Sequence, residues 1–147
     1  MNDENSVGLT VRKLNSAIRR DIERTNSLKG INAKGVHGWA IKYFHDNKDK
    51  DIYQRDFEEK FAIRRSTATQ FLKTMEKNGL IKRESVDSDA RLKKIILTDR
   101  AEDILKFIED DIKKREKLMR EGISKKELNT FFNVSKKIIS NLEDRND

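Results

Sequence analysis

The 147-residue chain contains neither cysteine nor proline. The absence of cysteine excludes a disulfide framework, a thiolate metal site and a thiol-based redox sensor. Without proline, and with only six glycines, long helices can run uninterrupted. No apolar run is long enough to span a bilayer or to serve as a signal peptide, so we expect a cytoplasmic protein with no membrane partner.

Residues suited to catalysis or metal binding are also scarce. The two histidines, His37 and His45, lie eight positions apart, with no cysteine and no spaced carboxylate pair to complete a site. A zinc centre needs three or four such ligands, and acid–base catalysis needs a second group in reach. We therefore expect no enzymatic activity, no bound metal and no cofactor.

The charge of the chain is unevenly distributed. Lys and Arg outnumber Asp and Glu by 33 to 26, which gives a net charge of +7. The counts are 10 against 6 in residues 1–50, 11 against 8 in residues 51–98, and 12 against 12 in residues 99–147. Residues 64–98 are the most basic segment, with 9 against 4. A basic patch on a small motif is typical of a nucleic-acid binder, although charged runs also form ordinary solvated surface.

The centre of this basic segment predicts an amphipathic helix over residues 63–79. Its apolar positions recur at spacings of three and four: Ala68, Phe71, Leu72 and Met75. Gly79 stands where the helix should end, because glycine adopts the left-handed cap conformation without steric cost. A short helix, Gln54–Phe61, is expected just before it, across a tight turn. Two strand-like runs follow, at residues 80–85 and 92–97. This order predicts a winged helix–turn–helix.

Longer helices are predicted on both sides of this motif. Periodic apolar residues indicate one helix from Val7 to Leu28 that ends at Gly30, and a second from Asn32 to Asp46. A third is expected over residues 99–121. The last follows a capping box formed by Ser124 and Glu127, in which each side chain serves a free amide at the helix start. The apolar stripes at the two chain ends have no evident partner within one subunit.

These stripes predict a homodimer. We expect a single domain over residues 1–147, of mainly α (α+β) class. Within it, residues 31–98 would form the winged-helix lobe. Residues 1–30 and 99–147 would supply N- and C-terminal dimerisation helices.

Three stretches, at residues 54–61, 65–83 and 87–98, resemble the MarR family of bacterial transcription regulators. Asp89 and Arg91 fall on the family's Asp-x-Arg wing signature, and the resemblance extends over essentially the full chain. Arg64 and Tyr53 depart from the hydroxyl or Asp residues common at those helix starts, and Ala101 replaces a frequent glycine. The resemblance implies a dimer with one winged helix per subunit and interlocked terminal helices.

Several residues are predicted to contact double-stranded DNA. The first turns of an α-helix in the major groove present side chains to base edges, and short polar residues and amides suit that role. Backbone amides and arginines at a helix N-terminus can hold a phosphate, and lysines can add backbone contacts. The candidates on the helix are Arg64, Arg65, Ser66, Thr67, Thr69, Gln70 and Lys73.

The predicted wing adds Asp89, Arg91 and Lys93. The Asp89 carboxylate could accept hydrogen bonds from loop amides or hold the Arg91 guanidinium in an extended pose. An arginine at a hairpin tip can enter the minor groove. The alternative is that Asp89 and Arg91 merely pair on the surface.

The resemblance alone implies a pocket for a small aromatic effector, lined by His37, Trp39 and Tyr43. Packing in the core explains the same aromatics. We therefore expect a sequence-specific, homodimeric DNA-binding regulator, a repressor rather than an activator, which occludes a palindromic operator until a ligand releases it. The alternative is a winged helix used as a protein-interaction or RNA-binding module.

Overall fold

The computed structural model describes residues 6–28 and 37–144, with side chains from residues 6–25 and 38–144. Within these ranges the chain forms helices joined by one antiparallel hairpin. In chain order the elements are α1 (Val7–Leu28), α2 (His37–Asp46), α3 (Gln54–Phe61), α4 (Arg65–Lys77), β1 (Ile81–Val86), β2 (Asp89–Leu97), α5 (Asp99–Arg120) and α6 (Lys125–Glu143). The mainly helical winged-helix class predicted from the sequence is confirmed.

Most element boundaries follow the sequence pattern. Helices α1 and α3 have the predicted bounds, and α5 ends one residue early. Helix α4 is shorter than the predicted 63–79, because Arg64 is extended, with φ −71° and ψ 151°. The predicted helix end at Gly30 and the cap at Asn32 lie outside the described residues. The second strand was predicted to begin at residue 92, but β2 begins at Asp89.

A tight turn joins α3 to α4. Ala62 has a φ of 49° and is the one non-glycine residue with a positive φ among those described. The amide of Ile63 donates to the Glu58 carbonyl at 3.1 Å, and the Ala62 amide donates to Glu59 at 3.3 Å. These bonds satisfy the last carbonyls of α3. Extended Arg64 then starts α4, so the two helices form a helix–turn–helix.

Two helix starts lack the usual hydroxyl caps, and the structure compensates at one of them. The Asp56 carboxylate accepts a hydrogen bond from the backbone amide of Tyr53, at 2.8 Å, at the beginning of α3. Arg64 makes no side-chain cap at the beginning of α4. At α6 the predicted capping box is present, since Ser124 Oγ accepts from the Glu127 amide at 3.2 Å and Glu127 accepts from the Ser124 amide at 2.8 Å.

Phe57 lies at the centre of an aromatic core and is fully buried. Its ring centroid lies 5.6 Å from Phe44, 4.8 Å from Phe61 and 5.2 Å from Phe71. The other buried apolar side chains come from α2, α4, the hairpin, the first half of α5 and two connecting segments. They are Ala40, Ile41, Phe44, Ile52, Ala68, Leu72, Met75, Leu80, Ile81, Ile95, Ala101, Leu105 and Ile108.

Helix α2 packs closely on α5. A Cβ built on Gly38 would lie 3.1 Å from Cγ2 of Ile108, so the absence of a side chain permits the approach. One turn further, Lys42 Nζ pairs with Glu109 at 3.1 Å, and the bonds to Asp46 and Glu109 raise the pKa of Lys42. These contacts hold the wing-side end of α5 against the winged-helix core.

The hairpin is anchored where it leaves α4 and where it enters α5. Gly79 ends α4 with a φ of 68°, as the sequence predicted. The Thr98 hydroxyl donates to the Gly79 carbonyl and accepts from the Ala101 amide at 3.3 Å, so Thr98 caps the beginning of α5. The Thr98 amide donates to the Leu80 carbonyl at 3.1 Å. Both ends of the wing are therefore bonded to each other.

Residues 112–144 belong to a second compact unit, made of the end of α5 and all of α6. Helix α6 has no buried residue. Its large apolar side chains are exposed in the single chain: Phe131, Phe132, Val134, Ile139 and Leu142. In the first unit, α1 likewise exposes Val7, Val11 and Leu14. Among the described helices, none is long and apolar enough to cross a membrane.

Candidate nucleic-acid interface

Helix α4 has an inner face fixed by packing and an outer face left to solvent. Ala68, Leu72 and Met75 are fully buried. Successive helical residues are rotated by about 100°, so positions 66, 70 and 73 fall opposite that buried stripe. The structure confirms their exposure: Ser66, Gln70 and Lys73 all lie on the open surface, as does Thr67 on one flank. These side chains are free to meet a ligand that approaches the helix broadside.

The other flank of α4 faces α3 and the wing. It carries Arg65, Thr69 and Glu76, at spacings of four and seven. Thr69 is half-buried, and its hydroxyl donates to the Arg65 carbonyl at 2.8 Å. The same oxygen accepts a hydrogen bond from Nε2 of Gln54 at 2.9 Å. The Thr69 hydroxyl, a predicted base reader, is thus engaged within the helix–turn–helix.

The start of α4 is suited to an anion. Arg64 and Arg65 are both exposed there, and Arg64 supplies no side-chain cap. The first amides of a helix have no intrahelical acceptor and carry the positive end of the helix dipole. Two arginines beside such amides can hold a phosphate.

The wing is irregular at its tip. Strands β1 and β2 pair antiparallel from Ile81↔Leu97 to Ser85↔Lys93, and the register then shifts to Val86↔Asp89. Residues 90–92 therefore bulge from β2, and the turn itself is only residues 87–88. Asp89, Arg91 and Lys93 are exposed. Asp89 Oδ1 accepts a hydrogen bond from the Arg91 amide at 2.9 Å.

An open groove of about 600 Å³ separates the helix–turn–helix from the wing. Four of the predicted DNA-binding residues line it: Arg65, Thr69, Arg91 and Lys93. Residues that were not predicted to bind DNA complete the lining: Tyr53, Gln54, Arg55, Asp56, Glu58, Arg83 and Leu92. Five basic against two acidic side chains make the groove cationic, which favours a polyanion.

Arg83 shows how the wing is held beside α4. Its guanidinium, on β1, bonds to Oε2 of Glu76 at 2.9 Å through both Nε and a terminal nitrogen. The Arg83 side chain is 21% exposed. The two residues are seven positions apart and belong to different elements, so no local sequence pattern predicts this ion pair.

The other predicted DNA-binding residues lie outside the groove lining: Arg64, Ser66, Thr67, Gln70, Lys73 and Asp89.

The residues predicted to bind an effector are on α2. His37 begins that helix, and its side chain lies outside the described ones. Trp39 is 46% exposed. Tyr43 packs edge-on against Phe61, with ring centroids 5.8 Å apart. Burial, followed by the charges of Asp56 and Glu59, raises the pKa of the Tyr43 phenol. Tyr43 is therefore part of the aromatic core, whereas Trp39 is open to solvent.

Metal binding was not expected from the sequence. Within residues 6–28 and 37–144, no group of three or more His, Asp or Glu side chains is arranged to hold a metal ion. His45 instead bonds through Nδ1 to Oε2 of Glu102, at 2.8 Å, across α2 and α5.

Residues 47–93, which span α3, α4 and most of the wing, match the family model described as the MarR family. The transcription regulator MarR of Oenococcus oeni PSU-1 is 25% identical; the match covers 91% of this chain and 96% of that one, with a TM-score of 0.68. The heme sensor protein PefR of Streptococcus agalactiae, solved with heme, is 26% identical, with 99% of both chains covered and a TM-score of 0.68.

A third structure, the MepR–DNA complex of S. aureus, superposes more closely although its sequence is more distant. Its TM-score is 0.81 at 17% identity, over 96% of this chain and 99% of that one. At that identity the likeness establishes the fold. Together these matches confirm the family resemblance predicted from residues 54–98.

Proposed function

We propose that this protein is a DNA-binding transcriptional regulator, because residues 47–93 match the MarR family model and the fold resembles that of a transcription regulator over 91% of the chain. The observation that carries the proposal is the exposed outer face of α4 beside a cationic groove that ends at the wing arginine. A similar protein of Oenococcus oeni is itself a transcription regulator. We propose that the present protein acts in the cytoplasm.

Helix α4 enters the major groove in this proposal. Ser66, Gln70 and Lys73 point away from the core, and side chains in that position reach base edges or phosphates. Arg64 and Arg65 hold a phosphate at the helix start. Arg91, on the bulge of the wing, reaches the neighbouring minor groove, whose negative potential attracts arginine.

The proposed regulator is a homodimer. Helices α1 and α6 each expose apolar side chains, and monomeric proteins seldom leave large apolar patches in water. Association through residues 1–30 and 99–147 would cover these faces and leave the lobe of residues 31–98 free for DNA. Two copies of α4 one helical turn apart would then fit a palindromic operator.

A small ligand is the proposed signal. PefR, 26% identical to this chain, is a heme sensor protein, so the family resemblance extends to a ligand-responsive member. Trp39 and Tyr43 lie one helical turn apart on α2, which packs against α5. A ligand bound beside them, with His37 as a third contact, would shift α2 and the lobe. In this scheme the ligand relieves repression.

Comparing the affinity for DNA with the affinity for RNA distinguishes the proposed regulator from the alternative, a winged helix used as a protein-interaction or RNA-binding module. We would measure fluorescence anisotropy with the duplex upstream of the protein's own gene, a random duplex and a matched RNA hairpin, each over a series of salt concentrations. The proposed regulator binds the upstream duplex most tightly, with an affinity that falls steeply as salt rises. Equal affinity for all three, or a preference for RNA, would favour the alternative.

A further inference from the structure

Gln54 bridges the two helices of the helix–turn–helix through a single amide nitrogen. Its Nε2 donates to the Thr69 hydroxyl at 2.9 Å and lies 3.4 Å from the Arg65 carbonyl. These partners lie 15 and 11 positions away, so the contact joins the first turn of α3 to the first two turns of α4. Gln54 is half-buried at the groove, which the three residues line together.

Two of the three hydrogen-bonding positions of the Thr69 hydroxyl, its donor and one acceptor, are in use. A threonine hydroxyl offers one donor and two acceptor positions. Its donor is directed to the Arg65 carbonyl at 2.8 Å, and it accepts from Gln54. Thr69 is also β-branched, which restricts its side chain to few rotamers. The Gln54 amide therefore meets an acceptor with a fixed direction.

Directionality distinguishes this contact from the rest of the α3–α4 interface. The apolar contact of Phe57 with Phe71, at 5.2 Å, holds the helices together. Apolar burial is non-directional, so it limits separation more than rotation. A hydrogen bond weakens steeply as its angle departs from linearity. The Gln54 bonds thus oppose rotation of α4 about its own axis.

We propose that Gln54 is a positioning residue for DNA reading, an inference that rests on the proposed function. By fixing the rotation of α4 it sets the direction in which Ser66 and Gln70 meet the bases. Thr69 acts together with Gln54, because its hydroxyl accepts the Gln54 hydrogen bond. In this arrangement neither Gln54 nor Thr69 reads a base itself.

A double-mutant cycle tests the proposal. Gln54→Met keeps the length and the charge of the side chain but removes the donor, and Thr69→Val keeps the shape but removes the hydroxyl. Each is measured, alone and together, on the tightest duplex selected from a random-sequence library and on a random duplex at matched salt. Each single change is expected to lower selected-duplex affinity about fivefold, with random-duplex affinity nearly unchanged.

The affinity of the double variant decides whether Gln54 and Thr69 act together. If the two residues act as one unit, the double variant loses about fivefold, whereas independent contacts would lose about 25-fold. An additive result overturns the proposal and makes each residue a separate DNA contact. A fall in Tm with an unchanged ratio of selected to random affinity also overturns it, because the bond would then be merely structural.

Two further variants serve as controls. Gln70→Met removes the chain's other glutamine, on the exposed face, and Thr69→Val should cost less in that background than in the parent, because the positioning acts partly through Gln70. Thr69→Ser retains the hydroxyl and should bind like the parent; a loss equal to that of Thr69→Val counts against the hydrogen bond. If the parent protein binds no duplex at all, the proposed function fails, an outcome distinct from additivity in a protein that binds.

Discussion

Asp89 bonds to the backbone of Arg91: its Oδ1 accepts from the Arg91 amide at 2.9 Å. Of the arrangements left open by the sequence, this is the one in which the carboxylate accepts a hydrogen bond from a loop amide. The Arg91 side chain is exposed on a bulge of β2 and lines the groove beside α4. The two signature residues therefore have different roles: Asp89 fixes the backbone, and Arg91 presents a positive charge.

Arg91→Ala should lower affinity for the operator at least tenfold. A lost phosphate-like contact should also reduce the slope of log affinity against log salt by about one unit. Thermal stability should stay the same, because Arg91 is exposed. Anisotropy titrations over a salt series, with a thermal melt of each variant, check this. Parental affinity at matched salt would make the wing purely structural.

Asp89 should act more weakly and through conformation. Asp89→Ala removes the acceptor for the Arg91 amide, so the bulge loses a stabilising hydrogen bond. Operator affinity should fall, but by less than in Arg91→Ala. Asp89→Asn keeps a side-chain oxygen and should remain close to the parent. The same titrations apply, and equal losses for the alanine and asparagine variants would point to charge instead of the hydrogen bond.

Gln70→Ala should relax operator recognition. Its side chain is exposed on the outer face of α4, and a lost base contact costs about 1–3 kcal/mol. Non-specific binding should hardly change. Competition between operator and random duplex measures the difference directly. An equal loss on both would show that Gln70 contacts the DNA backbone, and no loss on either would show that it makes no contact.

Removing residues 124–147 should abolish the dimer. The deletion takes away α6, whose exposed apolar face includes Phe131 and Phe132. Sedimentation velocity should show monomer or aggregate, and operator binding should be lost because two joined recognition helices are required. A truncated protein that stays a tightly binding dimer would refute the assignment of this region.

Point substitutions give the same test without a deletion. Phe131→Asp places a charge on the apolar face of α6, where the parent side chain is 53% exposed, and should shift the equilibrium towards monomer. Lys136→Asp, at an exposed polar position of the same helix, is the matched control and should leave the dimer intact. The helicity of both variants should equal that of the parent.

Phe57→Ala should destabilise the fold by about 3–5 kcal/mol, because it empties the centre of the aromatic core. Urea unfolding monitored by circular dichroism measures the change. Phe131→Ala should cost far less in intrinsic subunit stability, since that side chain is exposed in the single chain. Losses of equal size in isolated subunits would contradict the division into a buried core and an exposed terminal face.

The capping box of α6 should be visible in a titration. Hydrogen bonds from the Ser124 hydroxyl and amide lower the pKa of the Glu127 carboxyl from its ordinary 4.5. A lowered pKa means that the contribution to folding is present above the unfolded pKa and is lost as pH falls through the folded value. In Ser124→Ala the Glu127 pKa should rise towards 4.5, as followed by carbon NMR of its side chain. An unchanged pKa would show that the serine hydroxyl contributes nothing.

The sequence predicts those parts of the fold that depend on neighbours along the chain. The bounds of α1 and α3, the cap at Gly79 and the box of Ser124 and Glu127 follow from periodicity and local hydrogen bonding. The bulge at residues 90–92 was not predicted, because no glycine or proline marks it and pairing with β1 decides the register. Here the tertiary context outweighs turn propensity.

In the candidate site, too, local features were predictable from the sequence and contacts between elements were not. Exposure of Ser66 and Gln70 follows from the helical period once Leu72 is known to be buried. The links of Gln54 to Thr69 and of Arg83 to Glu76 join residues 15 and 7 positions apart on different elements. Such contacts depend on how whole elements pack, so the sequence could propose Thr69 as a DNA contact from its residue type but could not show its bonds to Gln54 and Arg65.

Trp39 is the chain's single tryptophan, and it is 46% exposed on α2. Its emission therefore comes from one site, on the helix that carries the proposed ligand contacts, and Trp39 is not among the residues that line the groove beside α4. The protein has a built-in spectroscopic probe: a ligand that covers α2 should shift or quench this fluorescence. DNA that binds α4 and the wing should change it only through movement of the lobe. One cuvette titration can thus distinguish the two kinds of partner without a label.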